Sequence, residues 1–597
     1  KIVPAKDVVP PFDSFNETDN EHSRLSGYID LNISTKTPVF IRREKEQQDF
    51  FVIGGEPIIP GSSLRGMSRT LVEIITFSRF QFFENKTLYH RKQGANAAAN
   101  REMGFLYFNN GIFSIKKSSN VFQNLYDKSK EFQYTFDKEN STAMIKVYSG
   151  NMAKHHFKIE YATNGHTIEV PADVIASYED DDTRNAEKQM EDLAQLARKP
   201  ASFKEQLRNF DAKLPYIGIP VWYDSKYING KEVAQHFGHC RNYRVHYHKN
   251  IAAHVNQNSL QQKQFDYAEA IFGFLRERRE DKKEEFISRV FFEDAKNISY
   301  QYIEPTISKV LASPKPTSYQ LYLEPKKHNG KKQYTTWDDD SKIRGNKLYW
   351  HKPDNSPWME TKVEFTPSDF MAMLKEYQLQ EKELGNSLIR PAKEGEKYVI
   401  ILADLPGKPK SAILKAIGKY ESQHTVIKPI KNATFTSRIR FENLTKEELG
   451  ALLFVLQLPP GCCHKLGMGK PLGLGSVEIQ PTLTIIDRKK RYAQLFEGDS
   501  WYQPTISIKS KDDFIKDIED YMLGNIPDNE KSNATTLWDV PRLKKLKTML
   551  TFKHEGVKES DWLENTKYQE LEEFKKRPVL PYPHEVVDLA KAKTTNL

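Results

Sequence analysis

The 597 residues carry 89 lysines and arginines against 80 aspartates and glutamates, a formal net charge of +9 that is too small to mark a polyanion binder unless cations concentrate locally. A chain this long exceeds one compact core and predicts roughly two to four structural units. Its three cysteines, Cys240, Cys462 and Cys463, exclude a disulfide framework and, with two of them adjacent, fit a tetrahedral zinc site poorly.

Residues 1–24 are polar and proline-containing without periodicity, which predicts an arm ordered only against a neighbour or ligand. In "GYIDLNISTKTPVFI", Ile29, Leu31 and Ile33 alternate with Asp30, Asn32 and Ser34, the pattern of a strand with one buried face. A solvated charged stretch, "RREKEQQD", follows. Then "PIIPGSSLRGMSRT" (57–70) runs through a turn into a helix, with Ser62 or Ser63 as cap and Leu64, Met67, Leu71, Ile74 and Ile75 on its apolar face. These features define a first segment, 25–104.

Short alternating runs such as "AMIKVYSG" and "HHFKIEYA", then the acidic "SYEDDDTRNAEKQMEDLAQLARK", mark 105–215 as an inserted β-rich module followed by a helical linker. The main pattern resumes over 216–312, with a helix in "DYAEAIFGFLRERREDKKEEF" and a strand in "ISRVFFEDA". Residues 313–432 read as a second, irregular insertion, aromatic over 313–360 and with helical and short-strand candidates over 361–432. The segment 433–480 holds the strand "TFTSRIRFENL", a helix with Thr445 as cap and Glu448 completing a capping box, and a glycine-rich loop running into a strand. A polar C-terminal extension, 481–597, carries helices near 511–523 and 540–551. The mixture predicts an α+β fold.

Two motifs carry chemistry. Arg65 and Arg69 lie one helical turn apart, on the side opposite the apolar stripe, and a helix start rich in unpaired N–H groups, with the Ser62 and Ser63 hydroxyls, suits a phosphate. An ordinary amphipathic helix with surface arginines fits the same residues; Gly66, costly inside a helix, favours close backbone approach. The loop "GCCHKLGMGKPLGLGS" (461–476) interleaves Gly467, Gly469 and Gly473 with His464, Lys465 and Lys470. It lacks the order of a nucleotide-binding loop and runs helix-to-strand, so it reads either as a cradle for a sugar-phosphate backbone or as a flexible hinge. His236, His239, His246, His248 and His254 lack the cysteines or carboxylates of a zinc set and read as structural or phosphate-contacting groups, with no metal. No stretch approaches the roughly 20 apolar residues of a bilayer span and "KIVPAKDVVPPFDSF" has no signal pattern, so a cytoplasmic protein without a membrane partner is expected.

Taken together, "IPGSSLRGMSR" and, hundreds of residues later, "HKLGMGKPLGLGSVEI" resemble the RAMP superfamily of CRISPR-associated proteins. The segments "AEAIFGF", "SRVFFEDA", "SPKPTSYQLYL" and "IRGNKLYWHK" are similar to a large type III, especially type III-D-like, RAMP family with a single backbone domain and a long insertion. The resemblance implies a ferredoxin-like (RRM-like) domain with a β-hairpin thumb, built from the 25–104, 216–312 and 433–480 segments. It further implies a backbone subunit of an antiviral ribonucleoprotein whose partners are crRNA, target RNA and other CRISPR effector subunits. Ser62, Ser63, Arg65, Arg69, His464, Lys465, Gly467, Gly469, Lys470 and Gly473 would then follow the guide RNA, with no cofactor required. Many relatives carry a cleaving aspartate before the first motif, where this chain has Lys36 and Thr37. Asp49, later in the loop, is the substitute that a target-RNA endoribonuclease would need, with Mg2+ involved only in that case.

Overall fold

The alternation that begins at Leu25 becomes the centre of a large antiparallel sheet in the computed structural model. The structure describes the chain apart from residues 1–4, 6–23, 45–47, 81–83, 93–100, 110, 119–120, 125–133, 138–141, 149–155, 163–165, 181–218, 239–241, 256–264, 278–282, 329–330, 354–357, 394–395, 404, 406, 422, 499, 503–504, 509–510, 570–572 and 596–597. Most of the predicted N-terminal arm and the acidic linker beyond residue 180 therefore lie outside the described residues, as do His239 and Cys240. Among the described residues the architecture is mixed α+β, and the chain divides into two compact units. One comprises Lys1–Phe83, Val255–Thr335 and Ser341–Leu597; the other comprises Glu84–His254 and Thr336–Asp340.

In the first unit, β1 (Leu25–Thr35), α1 (Gly61–Ile75), α2 (Tyr267–Phe272), β2 (Ala295–Tyr302), β3 (Ile430–Leu444), α3 (Lys446–Leu456) and β4 (Ser476–Ile486) follow in chain order. The four strands lie side by side as β2, β3, β1, β4, and every pairing among them is antiparallel. Ile29, Leu31 and Ile33 of β1 are buried with α1 and α3 in one core, as their period-two spacing requires. The capping box at the start of α3 forms in both directions: Glu448 N–H donates to Thr445 Oγ1 at 3.1 Å and Thr445 N–H to Glu448 Oε2 at 2.8 Å.

The C-terminal extension belongs to this core. Thr505–Ile508 adds a strand beside β4, and α4 (Asp512–Asn525) covers α3 so closely that a Cβ at Gly450 would lie 2.0 Å from the Phe514 carbonyl oxygen. Covered on both sides, α3 is buried from Glu447 to Leu456.

Two expectations change. The helix expected across 266–286 stops at Phe272, because Gly273 adopts φ +72° and a hairpin of Phe274–Glu277 with Lys283–Phe286 follows. The helical and short-strand candidates of 361–432 are the strands Lys362–Phe365, Leu388–Ile389 and Tyr398–Ile401 and the helices Pro367–Glu376 and Gly407–Ala416, which enclose a core of their own. The inserted module also extends beyond 105–215 on both sides, because Glu102–Asn109 pairs antiparallel with Ile219–Ile228.

That second unit contains a five-stranded closed barrel. Glu102–Asn109, Ile112–Lys117, Thr167–Glu169, Ile219–Ile228 and Lys231–Gly238 form it, with the helix Ala172–Glu179 between the third and fourth strands. Leu106, Ile115, Ile168, Val221, Tyr223 and Phe237 pack in its core.

Candidate nucleic-acid interface

The start of α1 is arranged differently from the sequence expectation. Pro60 occupies the N-cap position and neither serine caps the helix; instead the Gly61 N–H donates to Asp294 Oδ1 at 2.7 Å. Gly61 itself permits close approach, since a Cβ there would lie 2.2 Å from the Phe292 carbonyl oxygen. Ser62 is exposed and Ser63 half-buried, and among the described residues neither hydroxyl has a hydrogen-bond partner. The open face of α1 runs from Ser62 through Gly66, both exposed, to the half-buried Thr70, positions four apart and therefore stacked along one side. Among the described residues nothing lies within 4 Å of a Cβ built at Gly66, so none of them accounts for a glycine there.

The two arginines turn inward from that face. Arg65 Nη2 donates to the Phe272 carbonyl at 2.5 Å, and Arg69 Nη1 to that of Gly273 at 3.2 Å, so both guanidiniums sit at the C-terminal end of α2, where a helix favours cations. Their carbons lie 5.6 and 5.8 Å from the centre of the Phe272 ring. Arg69 is buried and also pairs with Glu73 at 3.0 Å. Arg65 has no carboxylate partner among the described residues, and burial together with the neighbouring Arg69 charge lowers its pKa.

The glycine-rich loop is held from within. Lys465 Nζ donates to the carbonyls of Gly473 and Leu474, both at 3.0 Å, and to Ser476 Oγ at 3.1 Å. Burial pushes its pKa down to about 7. His464 is buried, bonds through Nε2 to the Val455 carbonyl at 2.7 Å, and has its pKa driven down to about 4 by burial. The Thr37 hydroxyl donates to the Gly473 carbonyl at 3.0 Å and accepts from Ser476 N–H at 2.9 Å, while Lys36 pairs with Glu478 at 2.7 Å. Thus the Lys36-Thr37 pair, found where an acid was expected, braces the loop.

Gly467, Gly469, Gly473 and Gly475 all have positive φ, between +70° and +110°. A Cβ at Gly467 would meet the Phe40 carbonyl oxygen at 2.6 Å, and one at Gly475 the Leu466 oxygen at 1.8 Å. Internal geometry therefore demands these glycines, and a loosely hinged loop does not describe them. Lys470 differs from its neighbours. It starts the single turn Lys470–Leu472 between two left-handed glycines, is half-buried, and has no hydrogen-bond acceptor or ion-pair partner among the described residues.

His351 and Lys352 belong to the stretch "IRGNKLYWHK", which the sequence offered for its family resemblance without assigning either residue to the site. His351 Nδ1 bonds Ser476 Oγ at 2.9 Å, and Lys352 Nζ donates to the Pro471 carbonyl at 3.2 Å. Burial brings Lys352 down to about 8, with the Lys309 charge adding to the effect. Lys352, Lys465 and Lys470 thus gather at one loop that carries no neutralising carboxylate for them among the described residues. The RAMP superfamily model matches residues 32–210. That stretch includes β1 beyond Leu31 and the whole of α1, and ends far short of the glycine-rich loop. Over those residues, less than a third of the chain, the sequence is similar to the RAMP superfamily. No curated protein matches the chain.

Asp49 is 74% exposed at its side chain, and Lys428 Nζ lies 3.6 Å from it. An exposed carboxylate facing an ammonium does not suit a divalent cation. Among the described residues, no group of three histidine, cysteine, aspartate or glutamate side chains is placed to hold a metal, the remaining members of the histidine cluster included. His236 instead bonds Asp224 at 2.9 Å, and His254 the Trp337 carbonyl at 2.9 Å. No helix among the described residues is long and apolar enough to cross a membrane.

Proposed function

We propose that this chain is a crRNA-binding backbone subunit of a type III, III-D-like, CRISPR effector complex, holding guide phosphates and helping to present target RNA alongside other effector subunits. The observation that carries the reading is Lys470, an uncompensated cation on a rigid glycine loop beside two further lysines. A phosphate at Lys470 would supply the missing counter-charge and relieve the crowding of Lys352 and Lys465. The exposed Ser62, Gly66 and Thr70 face of α1 offers hydroxyls and a position without a side chain, suited to a second stretch of backbone. In this reading Lys465, His464, Gly467, Gly469 and Gly473 shape the path, Lys470 lines it, and Arg65 meets phosphate at its edge.

The finer fold reading rests on the antiparallel strand order β2, β3, β1, β4 with α1 and α3 as the two crossovers, the arrangement of a ferredoxin-like domain. Val52–Ile53 and Glu56–Ile59 form a hairpin whose exposed Ile53 makes it our choice for the thumb. The surroundings of Asp49 favour a scaffold over a nuclease. The test is reconstitution of the effector complex with this chain, followed by sequencing of retained small RNA. Retention of crRNA by wild type and its loss in Lys470→Glu supports the reading; equal retention by both overturns it.

A further inference from the structure

The barrel of the second unit closes in the circular order first, second, third, fifth, fourth strand. Its third and fifth strands run parallel, through Glu169 opposite Val233, and its first and fourth antiparallel. With a helix between strands three and four, this is the arrangement of the OB barrel, a fold used for oligonucleotides and oligosaccharides. Fold alone assigns no ligand, so the surface must decide.

The hairpin joining the fourth and fifth strands extends past the barrel, since the last pairing to the first strand is Tyr223 opposite Glu102 while the hairpin continues to an Asn229-Gly230 turn. On this arm Tyr227 is 75% exposed, and Lys226 and Lys231 are exposed without acidic partners among the described residues. Tyr227 lies opposite Glu232, whose carboxylate reaches His166 Nε2 at 3.3 Å, so the Tyr227 face of the arm looks toward the start of the third strand. There Lys116 and Thr167 pair across strands two and three. Both alternate with the buried Ile115 and Ile168 and so lie on the barrel's outer surface. The Tyr107 hydroxyl meets Thr167 Oγ1 at 3.3 Å on the same surface.

We propose that this face binds single-stranded nucleic acid, with a base stacked on Tyr227 and the backbone drawn along Lys226, Lys231 and Lys116. An exposed aromatic flanked by Lys226 and Lys231, which have no acidic partner among the described residues, matches a strand whose bases offer π faces and whose phosphates offer charge. Base pairing hides those faces, so duplex binds poorly. The site belongs to the second unit and stands without the guide-binding reading.

The test uses full-length protein photocrosslinked to 4-thiouridine RNA, with a 4-thiothymidine DNA of the same sequence as a second arm to tell the two sources apart, and tryptic mapping of the adducts. Cleavage after Lys226 and Lys231 isolates Tyr227 on its own peptide. Adducts on that peptide with either single strand, reduced about tenfold by Tyr227→Ala, kept by Tyr227→Phe and absent with duplex, support the proposal. Adducts confined to 461–476, or an alanine variant that crosslinks like wild type, overturn it while leaving the first-unit reading intact; adducts on the arm alone do the reverse.

Discussion

Arg69 donates from Nη1 to the Gly273 carbonyl, 3.2 Å away across 204 residues of sequence, while its Nε holds Glu73. The arginine pair that sequence spacing presents as one phosphate clamp is therefore divided in its duties. Arg69→Ala strands a partly buried carboxylate whose pKa burial already raises, and should cost about 3 kcal/mol in urea denaturation. Arg65→Ala breaks no ion pair. It should cost less stability, weaken guide binding alike for all spacer sequences, and reduce the salt slope by about 1 in filter-binding titrations.

At the glycine loop the two central lysines should separate in the same way. Lys470→Ala is expected to lower RNA affinity and the salt slope while leaving the melting temperature unchanged, because Lys470 has no partner within the described chain. Lys465→Ala leaves the Leu474 carbonyl without its lysine donor and the Gly473 carbonyl with Thr37 alone, and should lower the melting temperature before any RNA is added.

Glycines give opposite signs at two sites. Gly66→Ala sits in open space on a helix and should stabilise the protein by about 1 kcal/mol while weakening RNA binding. Gly469→Val meets Leu474 Cδ1 at 2.5 Å with φ +70° and should lose stability and binding together. A destabilised Gly66→Ala would mean that the helix face serves the fold.

The buried His464 predicts an acid-sensitive loop. Its folded pKa of about 4 lies below the ordinary 6.5, so between those values the unfolded chain binds the extra proton and stability falls as pH drops. Lys465, about 7 when folded against 10.5, makes stability rise with pH across that higher window by the same rule. Thermal melts at pH 7 and pH 5 should show a smaller acid loss for His464→Gln than for wild type.

Asp49→Ala should leave guide retention and the pattern of target-RNA cuts in magnesium unchanged, since the mutation removes only an exposed pairing with Lys428. Disappearance of one cut with guide binding intact would make Asp49 catalytic.

The sequence by itself determined the elements whose information is local. The alternation of Ile29, Leu31 and Ile33 set the buried face of β1, the Thr445 to Glu448 spacing set the start of α3, and the polar tail announced α4 within a residue or two. Each depends on neighbours a few positions away, through strand or helix periodicity and backbone capping. Tertiary structure alone decided which charges remain available. Arg69 is occupied because the carbonyls ending α2 come to it from far along the chain, Asp294 takes the helix N–H that a serine was expected to cap, and Lys465 is enclosed by carbonyls of a loop that folds back on it. Spacing shows which residues share a face. Whether that face meets protein or solvent depends on desolvation by distant segments, and that burial distinguishes Lys470 from Lys465 five residues earlier.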